Sequence, residues 1–199
     1  MQFEKSETFL NLARSFAGEC QAGMRYQMIA KLAMEEKLKT LADAIRVIAK
    51  NETAHATQFF NKIVENAGSK ENVNLKDAGY PFHIGNLAES LKMAANDEKS
   101  ESEDVYPAFA VTAEQEGFKD VARLYKQIAE VEAHHRIVFE YLHDAVKNGT
   151  LYKCDRPLLW ICSQCGYMHV GSEAWHVCPL CKAEQGYVDL HLPFEGIRE

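Results

Sequence analysis

Four stretches of this chain read as amphipathic helix, and each carries a glutamate in the middle of the face that should be buried. Stepping by three and four residues, the first gives Phe9, Leu12, Phe16, Glu19, Gly23, Tyr26 and Ala30, and the second Ile45, Ile48, Glu52, His55, Phe59 and Ile63. The third gives Leu87, Leu91, Ala94, Glu98, Glu101, Val105 and Ala108; the fourth gives Val121, Leu124, Ile128, Glu132, His135, Phe139 and Leu142. A lone glutamate beside an apolar stripe reaches solvent or meets a Lys or Arg. Five converging carboxylates repel by roughly 4 kcal/mol per close pair even at an effective dielectric near 20, and no stripe supplies a Lys or Arg to offset them. Something compact and cationic is required, and two divalent metals bring about +4 of charge to meet about −5.

The spacing suits such ions. Residues i and i+3 project from nearly one helix face, so Glu52 with His55, and Glu132 with His135, each offer a carboxylate and an imidazole to a common centre. Glu52 and Glu132, His55 and His135, and Tyr26 and Tyr106 are each 80 residues apart, as if one helical hairpin had been duplicated. Two Glu-x-x-His motifs plus glutamates from the two other helices form the dinuclear carboxylate pattern of ferritin-like four-helix bundles. Oxygen-rich ligation with two nitrogens favours iron or manganese.

Residues 5–148 are rich in Ala, Glu, Lys and Leu, which is helical composition. Breaks at 35–40, 66–86, Gly117 and 147–150 separate the four helices. The second break, about 20 residues, suits a connection running the length of a bundle. Pro107 should kink the third helix, because it has no amide proton and crowds the preceding turn. The expected division is a helical bundle over 1–148, a linker over 149–157 and a small metal-bound β/knuckle domain over 158–199.

That last segment is too small to be stabilised by apolar burial alone. "WICSQCGY" and "HVCPLCKA" set Cys162, Cys165, Cys178 and Cys181 as C-x2-C-x12-C-x2-C, the signature of one tetrahedral four-thiolate site. Zinc and iron both fit that spacing. Trp160, Tyr167 and Tyr187 would form its miniature core, and Cys20 is expected to be a buried spare thiol.

A formal charge of −7 over 199 residues gives no electrostatic footprint for phosphate backbones or anionic lipid, so nucleic acid and membrane are excluded as expected partners. The N-terminus lacks the basic start and apolar core of a signal peptide, and no later run approaches the roughly 18 apolar residues of a span. The expected location is cytoplasmic.

In their combination, "FAGEC", "ETAH", "NDEKSESEDVYPAFA", "EVEAHH" and the four-cysteine tail make the chain similar to the rubrerythrins along nearly its whole length. The resemblance implies a di-iron site held by Glu19, Glu52, His55, Glu98, Glu101, Glu132 and His135, with Glu52 and Glu132 bridging, and one iron in a rubredoxin-like tail on Cys162, Cys165, Cys178 and Cys181. It implies that His55 and Glu101 exchange on one iron as its oxidation state changes, and that Tyr26 and Tyr106 orient carboxylates or bound oxygen. It further implies a peroxidase that reduces hydrogen peroxide in oxidative-stress defence, with rubredoxin or an NADH-dependent rubredoxin reductase as electron donor, in a head-to-tail homodimer. The alternative expectation is a ferritin-like iron-oxidising or iron-storage protein with a zinc-ribbon docking tail.

Overall fold

A computed structural model of the chain describes residues 2–68, 71–76 and 78–193; the end of the expected tail domain, 194–199, lies outside them. Its elements are α1 (Glu7–Glu35), α2 (Lys39–Asn66), α3 (Leu87–Ser100), a π-helical turn (Glu101–Val105), α4 (Tyr106–Glu116), α5 (Lys119–Asn148), β1 (Lys153–Ile161) and β2 (Met168–Glu173). Among the described residues no helix is long and apolar enough to cross a membrane. Two compact units are formed, one of Met1–Arg25, Ile48–His83 and Asn96–Arg136, the other of Tyr26–Val47, Ile84–Ala95 and Ile137–Glu199.

Helix ends follow local chemistry. Ser6 Oγ accepts from Phe9 N–H at 3.1 Å, and the Glu116 carboxylate of α4 accepts from the Glu7 and Thr8 amides at 3.0 and 2.8 Å, so the free donors at the start of α1 are satisfied. Asn86 and Glu89 cap α3 reciprocally: Asn86 Oδ1 accepts from Glu89 N–H at 2.9 Å while Glu89 Oε2 accepts from Asn86 N–H at 3.1 Å. Gly117, at φ 92°, closes α4 in the left-handed region that a glycine enters without strain.

The third predicted helix departs from a uniform period. Tyr106 N–H bonds Glu101 O, five residues back, and Pro107 then stands in the first turn of α4, where its missing donor costs least. The extra residue of a π turn rotates everything after it. The straight stripe placed Ala108 inside, but Ala108 is exposed, and Tyr106, Ala110 and Ala113 are buried instead. In α5 the same stripe names Leu124, whereas its neighbour Tyr125 is the fully buried residue.

In the first unit, Phe3, Phe9, Leu12, Phe59, Tyr106, Tyr125 and Ile128 share one apolar cluster. Gly23 permits close approach of α1 to α2: a Cβ there would lie 3.2 Å from Ala49 O and 3.4 Å from Glu52 Cβ. In the second unit Ile29, Leu41, Ile45, Leu87, Leu91 and Leu142 are fully buried, and Tyr26 packs on Phe139 with ring centroids 4.8 Å apart.

The segment expected to be a linker, 149–157, instead carries the first half of β1, which pairs antiparallel with β2 across a register shift between Lys153 and Leu158. Leu151 and Tyr152 are buried, so this connection is packed rather than bare. The small domain rests on the α1–α2 turn of its own chain. Thr40 Oγ1 donates to Val188 O at 2.6 Å, Lys37 Nζ lies 2.7 Å from Glu184 Oε1, and a Cβ at Gly186 would fall 1.8 Å from Lys37 O.

Candidate metal centres

The first unit brings together α1, α2, α3 and α5 at the glutamates that interrupt their stripes. Glu19, Glu52, Glu98, Glu132 and His135 are buried, and the His55 side chain is 12% exposed. They form two overlapping groups whose ligand atoms lie within 4.8 Å of one another: Glu19, Glu52, His55 and Glu132, and Glu52, Glu98, Glu132 and His135. Glu52 and Glu132 belong to both.

Their oxygens are divided between the two groups. Glu132 Oε1 lies 2.9 Å from His55 Nδ1 and its Oε2 2.8 Å from His135 Nδ1. Glu52 Oε2 lies 3.4 Å from His55 Nδ1 and its Oε1 3.0 Å from His135 Nδ1. Glu19 Oε2 completes the first set at 3.6 Å from His55, and Glu98 Oε2 the second at 3.9 Å from His135. Each central carboxylate therefore offers one oxygen to either side, which is what a bridge between two ions requires.

These distances are of ion-pair length, yet none has the alignment of a hydrogen bond. Glu19 Oε2, both oxygens of Glu52 and of Glu132, and Nδ1 of both histidines are buried without a hydrogen-bond partner. Buried polar atoms left so cost several kcal/mol together, and metal ligation is the use of these donors that removes the cost. Four carboxylates balance two divalent cations, one fewer than the five that the sequence suggested. The donors fit a pair of iron ions: six carboxylate oxygens and two imidazole nitrogens.

Without ions the centre holds protons. Burial raises Glu19 well above the usual carboxylate range. At Glu52 burial acts in the same direction, but the His135 and His55 side chains outweigh it and bring the group to about 2. Burial would lower both histidines; the surrounding carboxylates overcome it, holding His55 at about 12 and His135 at about 9.

Glu101 stands outside both groups. It lies in the π turn, half-buried, on the wall of a cavity of about 250 Å³ that also touches Tyr106, Arg25, Asp97, Tyr80 and Gly18. Burial, then the charges of Glu132 and Glu52, raise it to about 8. The Tyr106 hydroxyl donates to Glu19 Oε1, and burial followed by the charges of Glu101 and Glu19 keeps that phenol protonated. Tyr26 is fully buried against Phe139 in the second unit. Sequence reasoning passed over Asn51, whose Nδ2 lies 3.2 Å from His135 Nε2; an amide one residue before Glu52 lies off the apolar stripe and gives no periodic signal.

In the second unit the sulfurs of Cys162, Cys165, Cys178 and Cys181 lie within 4.8 Å of one another. Two matching turns present them. Gly166 N–H bonds Cys162 O and Lys182 N–H bonds Cys178 O, with Gly166 and Lys182 both at positive φ, 74° and 65°. Burial would raise the Cys178 thiol, but backbone amides of Cys181 and Leu180 bring it down to about 7, in the direction that a thiolate ligand needs. Trp160 seals the module from inside, its Nε1 donating to Gly171 O at 2.9 Å. Cys20, expected to be buried, is exposed, because one helical step past Glu19 turns it about 100° from the core face.

Comparison with known proteins agrees with both centres. Residues 11–143 match the rubrerythrin family and residues 160–187 the rubredoxin-like domain of rubrerythrin. A rubrerythrin of Porphyromonas gingivalis is 38% identical over 184 residues, 92% of this chain and 90% of that protein. Rubrerythrin-1 of Clostridium acetobutylicum is 36% identical over 185 residues, 93% of this chain and 94% of its own. Among solved structures, mixed-valence nigerythrin aligns over 96% of this chain and 94% of its own with a TM-score of 0.62 at 23% identity. A Desulfovibrio desulfuricans bacterioferritin aligns over 71% and 81% with a TM-score of 0.62 at 24% identity. The structural likenesses establish the fold, a ferritin-like helical bundle followed by a small β region with four cysteines.

Proposed function

Because this chain belongs to the rubrerythrin family, with a candidate di-iron centre and a rubredoxin-like domain, we propose that it is a non-haem di-iron peroxidase that reduces hydrogen peroxide to water. The observation that carries this reading is the division of the Glu52 and Glu132 oxygens between two adjacent ligand sets. Glu19, Glu52, His55, Glu98, Glu132 and His135 would hold two irons there, and such a pair, when ferrous, would supply the two electrons by which one hydrogen peroxide and two protons become two waters.

The residues have distinct tasks. Glu52 and Glu132 span both positions; Glu19 and His55 complete one, Glu98 and His135 the other. Tyr106 fixes the Glu19 carboxylate by donating to it, and Tyr26 would orient carboxylates or bound oxygen. Glu101 lines the cavity wall, where it would deliver a proton to an incoming small oxidant or take the place of His55. The cavity volume equals that of several waters, which suits peroxide better than a bulky organic substrate.

Electrons would return singly through iron on Cys162, Cys165, Cys178 and Cys181, drawn from rubredoxin or an NADH-dependent rubredoxin reductase. In a head-to-tail homodimer the tail of one subunit would serve the neighbour's metal pair. The role is oxidative-stress defence in the cytoplasm. The test starts from anaerobically reduced, colourless protein: hydrogen peroxide, one equivalent per metal pair, restores the red ferric-thiolate colour within the mixing time of the experiment. Return of colour no faster than in buffer without peroxide overturns the peroxidase reading, and a tail that is never red points to zinc.

A further inference from the structure

Resting on the reading of the bundle as a metal centre, we propose that Asn51 is a positioning residue that anchors His135 to its metal, while its duplicate position leaves His55 unanchored. The two halves of the bundle repeat at 80 residues, so Glu52 corresponds to Glu132 and His55 to His135. One step before each bridging glutamate the repeat is broken: Asn51 in the first half, Val131 in the second.

The consequence is visible at the imidazoles. His135 turns Nδ1 toward Glu52 and Glu132 and meets the Asn51 amide with Nε2 at 3.2 Å. His55 also turns Nδ1 inward, but among the described residues its Nε2 has no hydrogen-bond partner. Valine has neither donor nor acceptor to give it one.

An amide suits this position chemically. Once Nδ1 gives its lone pair to a metal, the ring proton resides on Nε2, and the amide accepts it through Oδ1 after a half-turn of its terminal torsion. That bond fixes ring orientation and tautomer and raises the basicity of Nδ1. His135 is thus held on both sides, whereas among the described residues no protein group bonds His55 Nε2.

The test is cobalt(II) binding to the full-length protein, read by titration and by the paramagnetically shifted imidazole N–H signals. Wild type should show one slowly exchanging N–H, from His135, and one rapidly exchanging, from His55. Asn51→Val should make the slow signal fast and weaken one of the two bundle positions about 10- to 100-fold, with the other unchanged; Asn51→Asp, which keeps an acceptor oxygen, should restore both properties. Equal weakening of both positions, or unchanged exchange and affinity in Asn51→Val, overturns the proposal while the metal-centre reading stands. Failure of wild type to bind a cobalt pair overturns both.

Discussion

Glu52→Gln isolates what the bridging carboxylate contributes, because it keeps size and shape while removing one charge. In the structure Oε1 faces His135 at 3.0 Å and Oε2 faces His55 at 3.4 Å, with the residue 0% exposed. A glutamine must therefore aim its oxygen at one metal position and its NH2 at the other, and an NH2 group cannot ligate. The charge count moves from four carboxylates against two divalent cations to three, leaving one positive charge unbalanced in a buried site. Removing one partner of a buried charge arrangement costs about 3–5 kcal/mol, equivalent to about 10²- to 10⁴-fold in affinity at about 1.4 kcal/mol per decade. Cobalt(II) titration of the demetallated full chain, followed by visible absorption, should show one bundle position weakened by that factor. The same variant loaded with iron instead should still show the red four-cysteine centre. Both bundle positions within tenfold of wild type would refute the bridging role, and loss of the four-cysteine iron as well would refute two independent sites.

Three other outcomes are expected. Metal loading should release protons at pH 7 and weaken from pH 8 to pH 6, since Glu19, Glu101 at about 8, His135 at about 9 and His55 at about 12 all bind protons below their raised values; calorimetry in buffers of different ionisation enthalpy reads the release, and none would contradict the ligand set. Gly186→Ala should loosen the small domain from the α1–α2 turn by about 1–3 kcal/mol, because the new Cβ falls 1.8 Å from Lys37 O; unchanged hydrogen exchange around Val188 would speak against that contact. Cys178→Ser should remove the red colour and leave the bundle iron in place, as measured by iron content and the visible spectrum.

The glutamates were legible in the sequence because burying a carboxylate without a counter-ion is so unfavourable that an interrupted apolar stripe has few explanations. The four cysteines were legible for a similar reason: their spacing is set by the two turns that present them. Other features depend on registers between elements that a single helical period does not encode. The π turn at Glu101–Val105 rotates Ala108 outward and Tyr106, Ala110 and Ala113 inward, and its sequence signal, Pro107, indicates only that the ladder must change nearby. Glu101 shares the stripe with Glu98, yet the turn places it on the cavity wall outside the ligand groups. Asn51 and Gly186 matter through partners 84 and 149 residues away, His135 and Lys37, and nothing in their neighbouring residues announces those contacts.

The most direct test of the central claim is anomalous diffraction at the iron edge from crystals of protein purified and loaded with ferrous iron without oxygen. The account predicts three iron peaks per chain: two about 3.5–4 Å apart, spanned by Glu52 and Glu132, and one surrounded by the four cysteine sulfurs. A bundle that shows no peak, or a single ion without both carboxylates reaching across, would contradict it.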